Sequence, residues 1–304
     1  MPVETIDRLS NELETEARRV SAELDALFAK LLAPTGDSRD PLYEAMRHAA
    51  IGGGKRLRPL LTVAASRLFA IDRERALRVG AAIEAIHVYS LIHDDLPCMD
   101  DADLRRGKAT VHTAFGEAQA VLAGDSLHAL AFELLASPAT HSDPNVRSDL
   151  VLELARAAGP GGMAGGQMMD LAAERKELDL AAITRLQQLK TGALIEYAVE
   201  AACIMARLPP EGRTPYRGYA RNIGLAFQIA DDLIDCSGDE AAAGKPTGRD
   251  ANAGKATFVS LLGEARARQQ AGFLVAQAIE HLSGHGSEAD LLRAIARFAI
   301  ERDH

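Results

Sequence analysis

The sequence predicts an all-α fold in a single domain over residues 1–304. Apolar residues recur at helical spacing in long segments, and no segment alternates like a clear β-strand. Aromatic residues make up 4% of the chain and Trp is absent, whereas Ala, Leu, Glu and Arg are abundant, which favours helix over sheet. No shift in composition marks a domain boundary.

Gly and Pro clusters divide the chain into its predicted elements. These breaks fall at 52–54, around Pro97, and at 137–145, 159–166 and 237–254. The predicted helices are, in chain order, 4–32, 39–50, 58–70, 73–95, 117–136, 146–158, 178–206, 212–236, 255–283 and 287–302. Because long ordered loops are often lids or binding segments, the last break is a candidate lid.

Composition and charge exclude several classes of function. The net charge is −9 and the pI is about 5.5, which argues against a nucleic-acid partner, because a duplex needs a broad basic surface. The three cysteines lie far apart, which argues against a disulfide framework or a zinc site. We find no signal-peptide pattern and no uninterrupted apolar stretch of about 18 residues. We therefore expect no membrane span and a cytoplasmic location.

The most informative motif closes the most apolar predicted helix. Residues 93–101 read His-Asp-Asp-Leu-Pro-Cys-Met-Asp-Asp, after a stretch over 79–92 with few polar side chains. Carboxylates at the inner end of a buried helix are unfavourable unless a metal ion or another cation compensates them. Pro97 interrupts the helix, and a bulge there would bring Asp100 back towards Asp94. The alternative interpretation is an acidic helix end in a solvated loop.

A second acidic cluster favours a metal-binding interpretation of both. Asp231, Asp232 and Asp235 lie in one predicted helix, and their spacing places Asp231 and Asp235 on one face together with Gln228. The apolar stripe of this helix is only about 100° away, so the polar stripe borders a cavity more readily than open solvent. Mg²⁺ typically binds through one or two carboxylates plus substrate phosphates.

Basic residues occur where a phosphate would need them. The segment Gly-Gly-Gly-Lys-Arg-Leu-Arg over 52–58 places a turn before a basic helix start, without the spacing of a Walker A loop. His87 lies two helical turns before Asp94 on the same face. The other candidate cations are Arg105, Arg106, Lys190, Lys245 and Lys255. Each alone is typical of a solvated surface, but together they supply donors for phosphates bridged by metal ions.

These residues, in this order, resemble the trans-isoprenyl diphosphate synthase (polyprenyl synthetase) family, most closely its bacterial farnesyl diphosphate synthases, also called geranyltranstransferases. The matching motifs lie within residues 43–258. They are Gly-Gly-Gly-Lys-Arg-Leu-Arg-Pro from Gly52, His-Val-Tyr-Ser-Leu-Ile-His-Asp-Asp from His87, Asp-Asp-Ala-Asp-Leu-Arg-Arg-Gly from Asp100, Gly-Gly-Gln-Met-Met-Asp from Gly165, Lys-Thr-Gly-Ala from Lys190, and Phe-Gln-Ile-Ala-Asp-Asp-Leu-Ile-Asp from Phe227.

The resemblance implies a helical bundle around a deep central cavity, a homodimer, and head-to-tail condensation of isopentenyl diphosphate with dimethylallyl or geranyl diphosphate. It implies Mg²⁺, with three ions per active site, held on the allylic diphosphate by Asp94, Asp95, Asp100, Asp231, Asp232 and Asp235. By the same resemblance Arg105, Lys190 and Lys245 clamp that diphosphate, and Lys55, Arg58, His87 and Arg106 hold isopentenyl diphosphate. Thr191 and Gln228 would line the carbocation, and Lys255 is a further substrate-binding candidate in the lid.

Product length depends on one aromatic residue. Tyr89 precedes Asp94 by five residues, about 7.5 Å along a helix axis. The resemblance implies that an aromatic residue there acts as the floor of the chain-elongation cavity, which predicts mainly farnesyl diphosphate. The alternative is that Tyr89 is an ordinary core residue.

Four other functions stay open at this stage. A geranylgeranyl diphosphate synthase of the same family would tend to have a smaller or more flexible residue at the position of Tyr89. A class I terpene cyclase typically pairs one Asp-rich motif with an Asn/Ser/Glu metal motif, whereas this chain has two Asp-rich motifs. A helical metal phosphohydrolase would need further His and Asp ligands in obvious pairings. A non-catalytic subunit of a heteromeric synthase would usually lack the aspartates that are present here.

Overall fold

A computed structural model describes residues 3–173, 178–237 and 257–301, and these are almost entirely helical. The α-helices are α1 (Val3–Leu31), α2 (Asp40–Ala50), α3 (Leu57–Arg67), α4 (Arg73–Asp94), α5 (Val111–Phe115), α6 (Glu117–Ala136), α7 (Pro144–Ala158), α8 (Met163–Ala173), α9 (Leu180–Gln187), α10 (Ala193–Met205), α11 (Thr214–Ser237), α12 (Phe258–Leu262), α13 (Glu264–Glu280) and α14 (Asp290–Phe298). The all-α prediction is confirmed.

Shorter elements join some of these helices. A π-helical turn, Gln188–Gly192, links α9 to α10. Turns of 3₁₀ helix, Pro210–Arg213 and Ser287–Ala289, precede α11 and α14. Two strands of two residues, β1 (Leu104–Arg105) and β2 (Lys108–Ala109), pair antiparallel with Leu104 opposite Ala109. The hairpin is too short to alter the fold class.

The backbone forms two compact units, each built from segments that are not contiguous in sequence. The first unit comprises Glu14–Val63 and Ile71–Val151, and the second comprises Met1–Leu13, Ala64–Ala70 and Leu152–His304. A single domain over residues 1–304 stays a prediction. No helix in the described part of the chain is long and apolar enough to cross a membrane.

The core of the first unit is α4, which packs against α6. The Asp72 carboxylate caps α4 by accepting hydrogen bonds from the backbone N–H groups of Glu74 and Arg75, at 3.0 and 3.2 Å. Apolar side chains such as Val79 and Ile83 on α4 are fully buried. The helix therefore presents its C-terminal end, with the first Asp cluster, from a rigid core.

The core of the second unit is α11, which packs against α10 and α13. The Tyr219 hydroxyl is buried and donates to the Leu292 carbonyl at 2.7 Å. The Glu200 carboxylate on α10 is buried and accepts hydrogen bonds from Arg213 and Arg217. These paired polar groups fix α11, the helix that carries the second Asp cluster.

Two predicted boundaries are wrong for reasons of glycine chemistry. The predicted break over 159–166 overlaps α8, which begins at Met163. Glycines there indicate a turn, but Gly166 lies inside α8. Glycine is required at this position for packing, since a Cβ would approach the Lys190 backbone nitrogen to 2.2 Å. The predicted helix over 255–283 is divided at Gly263, whose φ of +77° favours glycine and separates α12 from α13.

Candidate functional site

The loop before α3 is shaped by two glycines with positive φ, at +74° for Gly52 and +83° for Gly54. A Cβ at Gly54 would lie 2.2 Å from Nη1 of Arg106, so the Arg106 guanidinium packs directly on the loop backbone. Only glycine permits this approach. Residues 52–58 are called the glycine loop below.

Four arginines of the first unit are near enough to His87 for their charges to act on it: Arg56, Arg58, Arg105 and Arg106. Burial lowers the pKa of His87 well below its ordinary value, and the charges of these arginines lower it further. Burial also lowers the pKa values of Arg58 and Arg106, Glu84 opposes both shifts, and neighbouring arginines add to them. This group, the arginine cluster, therefore holds positive charges that repel one another, which favours binding of an anion.

Two polar atoms of the arginine cluster have no hydrogen-bond partner among the described residues, and one of them is Nε of Arg56. The other is the buried Nε of Arg58. A cavity of about 80 Å³ in the first unit is lined by Arg106, Lys108, His48 and Gly53, among others. The cations that line this cavity fit an oxygen-rich ligand, and the buried Arg58 donor, which does not line it, separately indicates an unmet need for an acceptor.

The turn after α4 brings the first Asp cluster together, as the sequence predicts. The Asp100 backbone N–H donates to the Asp94 carbonyl at 2.8 Å, so the chain folds back across Pro97. The Asp95 carboxylate is buried and accepts from Nε and Nη2 of Arg105 at 2.8 and 2.6 Å. Burial lowers the pKa of Arg105, but these hydrogen bonds and the charges of Asp95, Asp100 and Asp94 raise it overall. Asp95 thus orients Arg105, a residue predicted to bind diphosphate.

Tyr89 lies on α4 in the first unit, and its ring packs against α6. Its ring meets the rings of His93 and His128 edge to face, with centroids 5.7 and 5.0 Å apart. Burial raises the pKa of Tyr89, and the charge of Asp94 adds to this shift. The ring is held by its neighbours, which is the rigidity that a cavity floor needs.

In the second unit, Lys190 and Thr191 lie in the π-helical turn, and such turns are frequent at functional sites. Nζ of Lys190 lies 2.6 Å from Oδ2 of Asp170 on α8. The close packing of Gly166 on the Lys190 backbone brings α8 near enough for this pair. Gln228 is half-buried on α11.

The second Asp cluster combines one exposed and two buried carboxylates. Asp231 is exposed. Asp232 is buried and accepts from the Phe258 backbone N–H at 2.8 Å, so it also caps the start of α12. Asp235 is buried, and its Oδ1 has no hydrogen-bond partner among the described residues. An orphaned carboxylate oxygen beside an exposed carboxylate fits a hard cation such as Mg²⁺.

The described carboxylates do not make a complete metal site by themselves. Within residues 3–173, 178–237 and 257–301, no group of three or more His, Cys, Asp or Glu side chains is arranged to hold a metal ion. The candidates Lys245 and Lys255 lie outside the described residues.

Comparison with known proteins gives these residues a family. The model of the polyprenyl synthetase family matches residues 39–297, most of the chain. The chain belongs to this family. The match includes both Asp clusters, the glycine loop and the lysine turn, as residues 188–192 are called below.

This polyprenyl synthetase is similar along most of its length to several relatives. It is 43% identical to the farnesyl diphosphate synthase of Escherichia coli (strain K12), over 91% of this chain and 94% of the relative. It is 44% identical to geranylgeranyl pyrophosphate synthase 3, chloroplastic, of Arabidopsis thaliana, over 86% of this chain and 74% of the relative. The apo crystal structure of an FPP/GFPP synthase from Zymomonas mobilis superposes with a TM-score of 0.88 at 57% identity, covering 96% and 99% of the two chains.

Three residues that pair with one another or with a candidate cation receive no role from the sequence. Arg56 and Glu84 form a buried ion pair, with Nη1 of Arg56 2.7 Å from Oε1 of Glu84. Asp170 ends the motif that begins at Gly165, but the motif alone indicates no role for it. One signal was available: Glu84 lies in the most apolar predicted helix, where a carboxylate requires a buried partner.

Proposed function

We propose that this polyprenyl synthetase joins isopentenyl diphosphate head to tail to dimethylallyl and geranyl diphosphates and yields mainly farnesyl diphosphate. The observation that carries the proposal is the arginine cluster, whose mutually repelling charges suit a diphosphate. The similarity to the farnesyl diphosphate synthases of Escherichia coli and Bacillus subtilis (strain 168) supports it.

The first unit would bind isopentenyl diphosphate through Lys55, Arg58, His87 and Arg106. His87 remains neutral at neutral pH, because its pKa is lowered, so it can donate one hydrogen bond without adding charge. The three cations hold the diphosphate and thereby place the double bond at a fixed distance from the electrophile.

The allylic diphosphate would be bound by Arg105, Lys190 and Lys245 together with Mg²⁺. The carboxylates that would hold the ions are Asp94, Asp95, Asp100, Asp231, Asp232 and Asp235, and three ions per site is part of the proposal. Bound Mg²⁺ would supply electrostatic stabilisation of the departing diphosphate. Because Lys190 is paired with Asp170, it has to exchange that carboxylate for the diphosphate.

The reaction ionises the allylic C–O bond and forms a new C–C bond. The diphosphate leaves with the electron pair, and the double bond of isopentenyl diphosphate attacks the allylic cation. The proton then lost from the former isopentenyl carbon passes to the departed diphosphate. Thr191 and Gln228 would line the cation with oxygen dipoles, and the loop that carries Lys245 and Lys255 would exclude water as a lid.

Product length is tested at Tyr89. Tyr89→Ala removes the ring held between His93 and His128, and we expect products of C20 or longer in place of C15. Tyr89→Phe keeps the ring and is the matched control, with C15 retained. Chromatography of the products measures the shift. A C20 product from the unmodified protein would instead support the geranylgeranyl alternative, which the chloroplastic relatives at 43–44% identity favour.

Turnover of radiolabelled isopentenyl diphosphate with Mg²⁺ separates the proposal from the remaining alternatives. A terpene cyclase would leave isopentenyl diphosphate unused and convert an allylic diphosphate alone into a cyclic hydrocarbon, whereas a non-catalytic subunit would convert neither substrate. We also propose that the protein is cytoplasmic and forms a homodimer. Light scattering on the purified chain would test the dimer. The exposed Val121 and Leu122 on α6 support a subunit contact on that helix.

A further inference from the structure

Arg56 fastens the glycine loop to three helices, although it is not among the residues proposed to bind either diphosphate. Its guanidinium donates to Oε1 of Glu84 on α4 at 2.7 Å, to Oδ1 of Asp25 on α1 at 2.9 Å, and to the Ala50 carbonyl at the end of α2 at 2.6 Å. The Arg56 side chain is only 1% exposed. A guanidinium this deeply buried contributes through the groups it joins, because it is out of reach of a ligand in solvent.

Asp25 binds two residues of the glycine loop, Gly52 and Arg56. Its two carboxylate oxygens accept from the Gly52 backbone N–H, each at 3.2 Å, while Oδ1 also accepts from Arg56. Arg56 has a φ of +47°, a left-handed conformation that is unfavourable for a residue with a side chain. Such a conformation persists only where surrounding contacts determine it. Here the contacts are those of Asp25, Glu84 and Ala50.

The fastened residue lies between two proposed diphosphate ligands. Lys55 precedes Arg56, and Arg58 follows two residues later. The Arg56 carbonyl accepts from the Leu60 backbone N–H at 3.0 Å, so Arg56 also sets the first turn of α3, where Arg58 lies. Any displacement of Arg56 would therefore move both cations.

We infer that Arg56, Asp25 and Glu84 are positioning residues that fix the glycine loop in its binding geometry before isopentenyl diphosphate arrives. The inference rests on the proposed function. Binding loses affinity when a loop must be ordered on contact, and a loop held in advance avoids this loss. The three residues act on the substrate through Lys55 and Arg58.

Glu84 offers a test in which two explanations predict opposite signs. If Glu84 acted only through its charge, Glu84→Gln would make the arginine cluster more positive and tighten the binding of a diphosphate. If it positions Arg56, the same change weakens binding, because the ion pair with Arg56 is replaced by a weaker hydrogen bond to an uncharged amide oxygen. We expect weaker binding.

The main experiment compares Asp25→Ala, Asp25→Asn and Glu84→Gln with Glu23→Gln. Glu23 also lies on α1 and pairs with an arginine of α4, Arg73, but its ion pairs do not involve the glycine loop. We expect Asp25→Ala to raise KM for isopentenyl diphosphate roughly tenfold, with KM for geranyl diphosphate and kcat changed less than twofold. Asp25→Asn keeps an acceptor oxygen and should recover part of the loss, and Glu23→Gln should match the unmodified protein.

Calorimetric titration with inorganic pyrophosphate, without Mg²⁺, repeats the comparison without turnover, and circular dichroism checks the fold of each variant. Equal increases in both KM values, or Asp25 variants that match Glu23→Gln in a folded protein, would overturn the inference. Tighter pyrophosphate binding by Glu84→Gln would also overturn it. If the unmodified protein did not consume isopentenyl diphosphate, the proposed function would fail instead, and the pyrophosphate titrations would still test the positioning role.

Discussion

The arginine cluster of the first unit and the lysine turn of the second unit balance their positive charge differently. In the arginine cluster, Arg56 and Arg105 are paired with carboxylates, but burial and then neighbouring arginines lower the pKa values of Arg58 and Arg106, so repulsion at these two residues remains in the free protein. In the lysine turn, Nζ of Lys190 lies 2.6 Å from a carboxylate oxygen of Asp170. The first region gains by accepting an anion, whereas the second must exchange one anion for another.

This difference shows how a preorganised site is maintained. Like charges held together in a protein need rigid support, and the buried contacts of Arg56 supply it in the first unit. The ion pair of Lys190 needs less support, because attraction holds it. We therefore expect the arginine cluster to bind diphosphate by itself and the lysine turn to depend on substrate and Mg²⁺.

The largest expected effect concerns the two Asp clusters, one in each unit, which should behave alike. Asp94→Ala or Asp231→Ala should each lower kcat by roughly 100- to 1,000-fold, because the leaving diphosphate loses its electrostatic stabilisation. Steady-state kinetics with Mg²⁺ measures this, and circular dichroism should show unchanged helicity. Asp149→Asn on α7, an exposed carboxylate like Asp231, is the control. Near-normal kcat in both alanine variants would remove the metal role from both clusters.

The next effect separates the two regions by substrate. Arg58→Ala should raise KM for isopentenyl diphosphate roughly tenfold more than KM for the allylic diphosphate, and Lys190→Ala should do the reverse. The physical reason is that each cation contacts one of the two diphosphates. Initial-rate measurements with one substrate varied at a time give both constants. Equal effects on the two substrates would contradict the assignment.

The sequence predicts some parts of the molecule and not others. Helical spacing predicts α6 over 117–136, as observed, and Pro97 predicts the return of Asp100 towards Asp94. The Arg56–Glu84 pair joins residues 28 apart, so its existence depends on how α4 packs beside the loop. Likewise, the glycines at 165–166 prevent the prediction of α8 from sequence. The reason for a glycine at 166, its close packing against the Lys190 backbone, can be seen only in the folded structure. Local patterns predict elements, whereas partners across elements require the packing.

A smaller effect concerns the free protein. Inorganic pyrophosphate without Mg²⁺ should bind to the arginine cluster, and Arg58→Ala should weaken this binding roughly fivefold or more through the loss of a charge-assisted contact. Lys190→Ala should leave it within twofold, because Lys190 is already paired with Asp170. Calorimetry in the presence of a chelator measures both. Equal weakening by the two variants would mean that the regions do not differ in the way their charges are balanced.

The smallest effect is the acid sensitivity of the arginine cluster. Burial and then the arginine charges lower the pKa of His87 in the folded protein, whereas in the unfolded chain it is near 6.5. As the pH falls below 6.5 the unfolded chain therefore binds a proton that the folded protein does not, and this group lowers the free energy of unfolding by up to about 1.4 kcal/mol per pH unit. His87→Gln carries no titrating group, so its Tm should fall less between pH 7 and pH 5.5 than that of the unmodified protein, by roughly 2 °C.

Excess pyrophosphate should reduce this acid sensitivity in the unmodified protein, since a bound anion offsets the repulsion that keeps His87 neutral. It should have little influence on the pH dependence of His87→Gln. Thermal unfolding at the two pH values, with and without pyrophosphate, gives the four differences required. Parallel pH curves for the two proteins would mean that His87 charges as readily in the folded state as in the unfolded chain. The repulsion that distinguishes the arginine cluster from the lysine turn would then be absent.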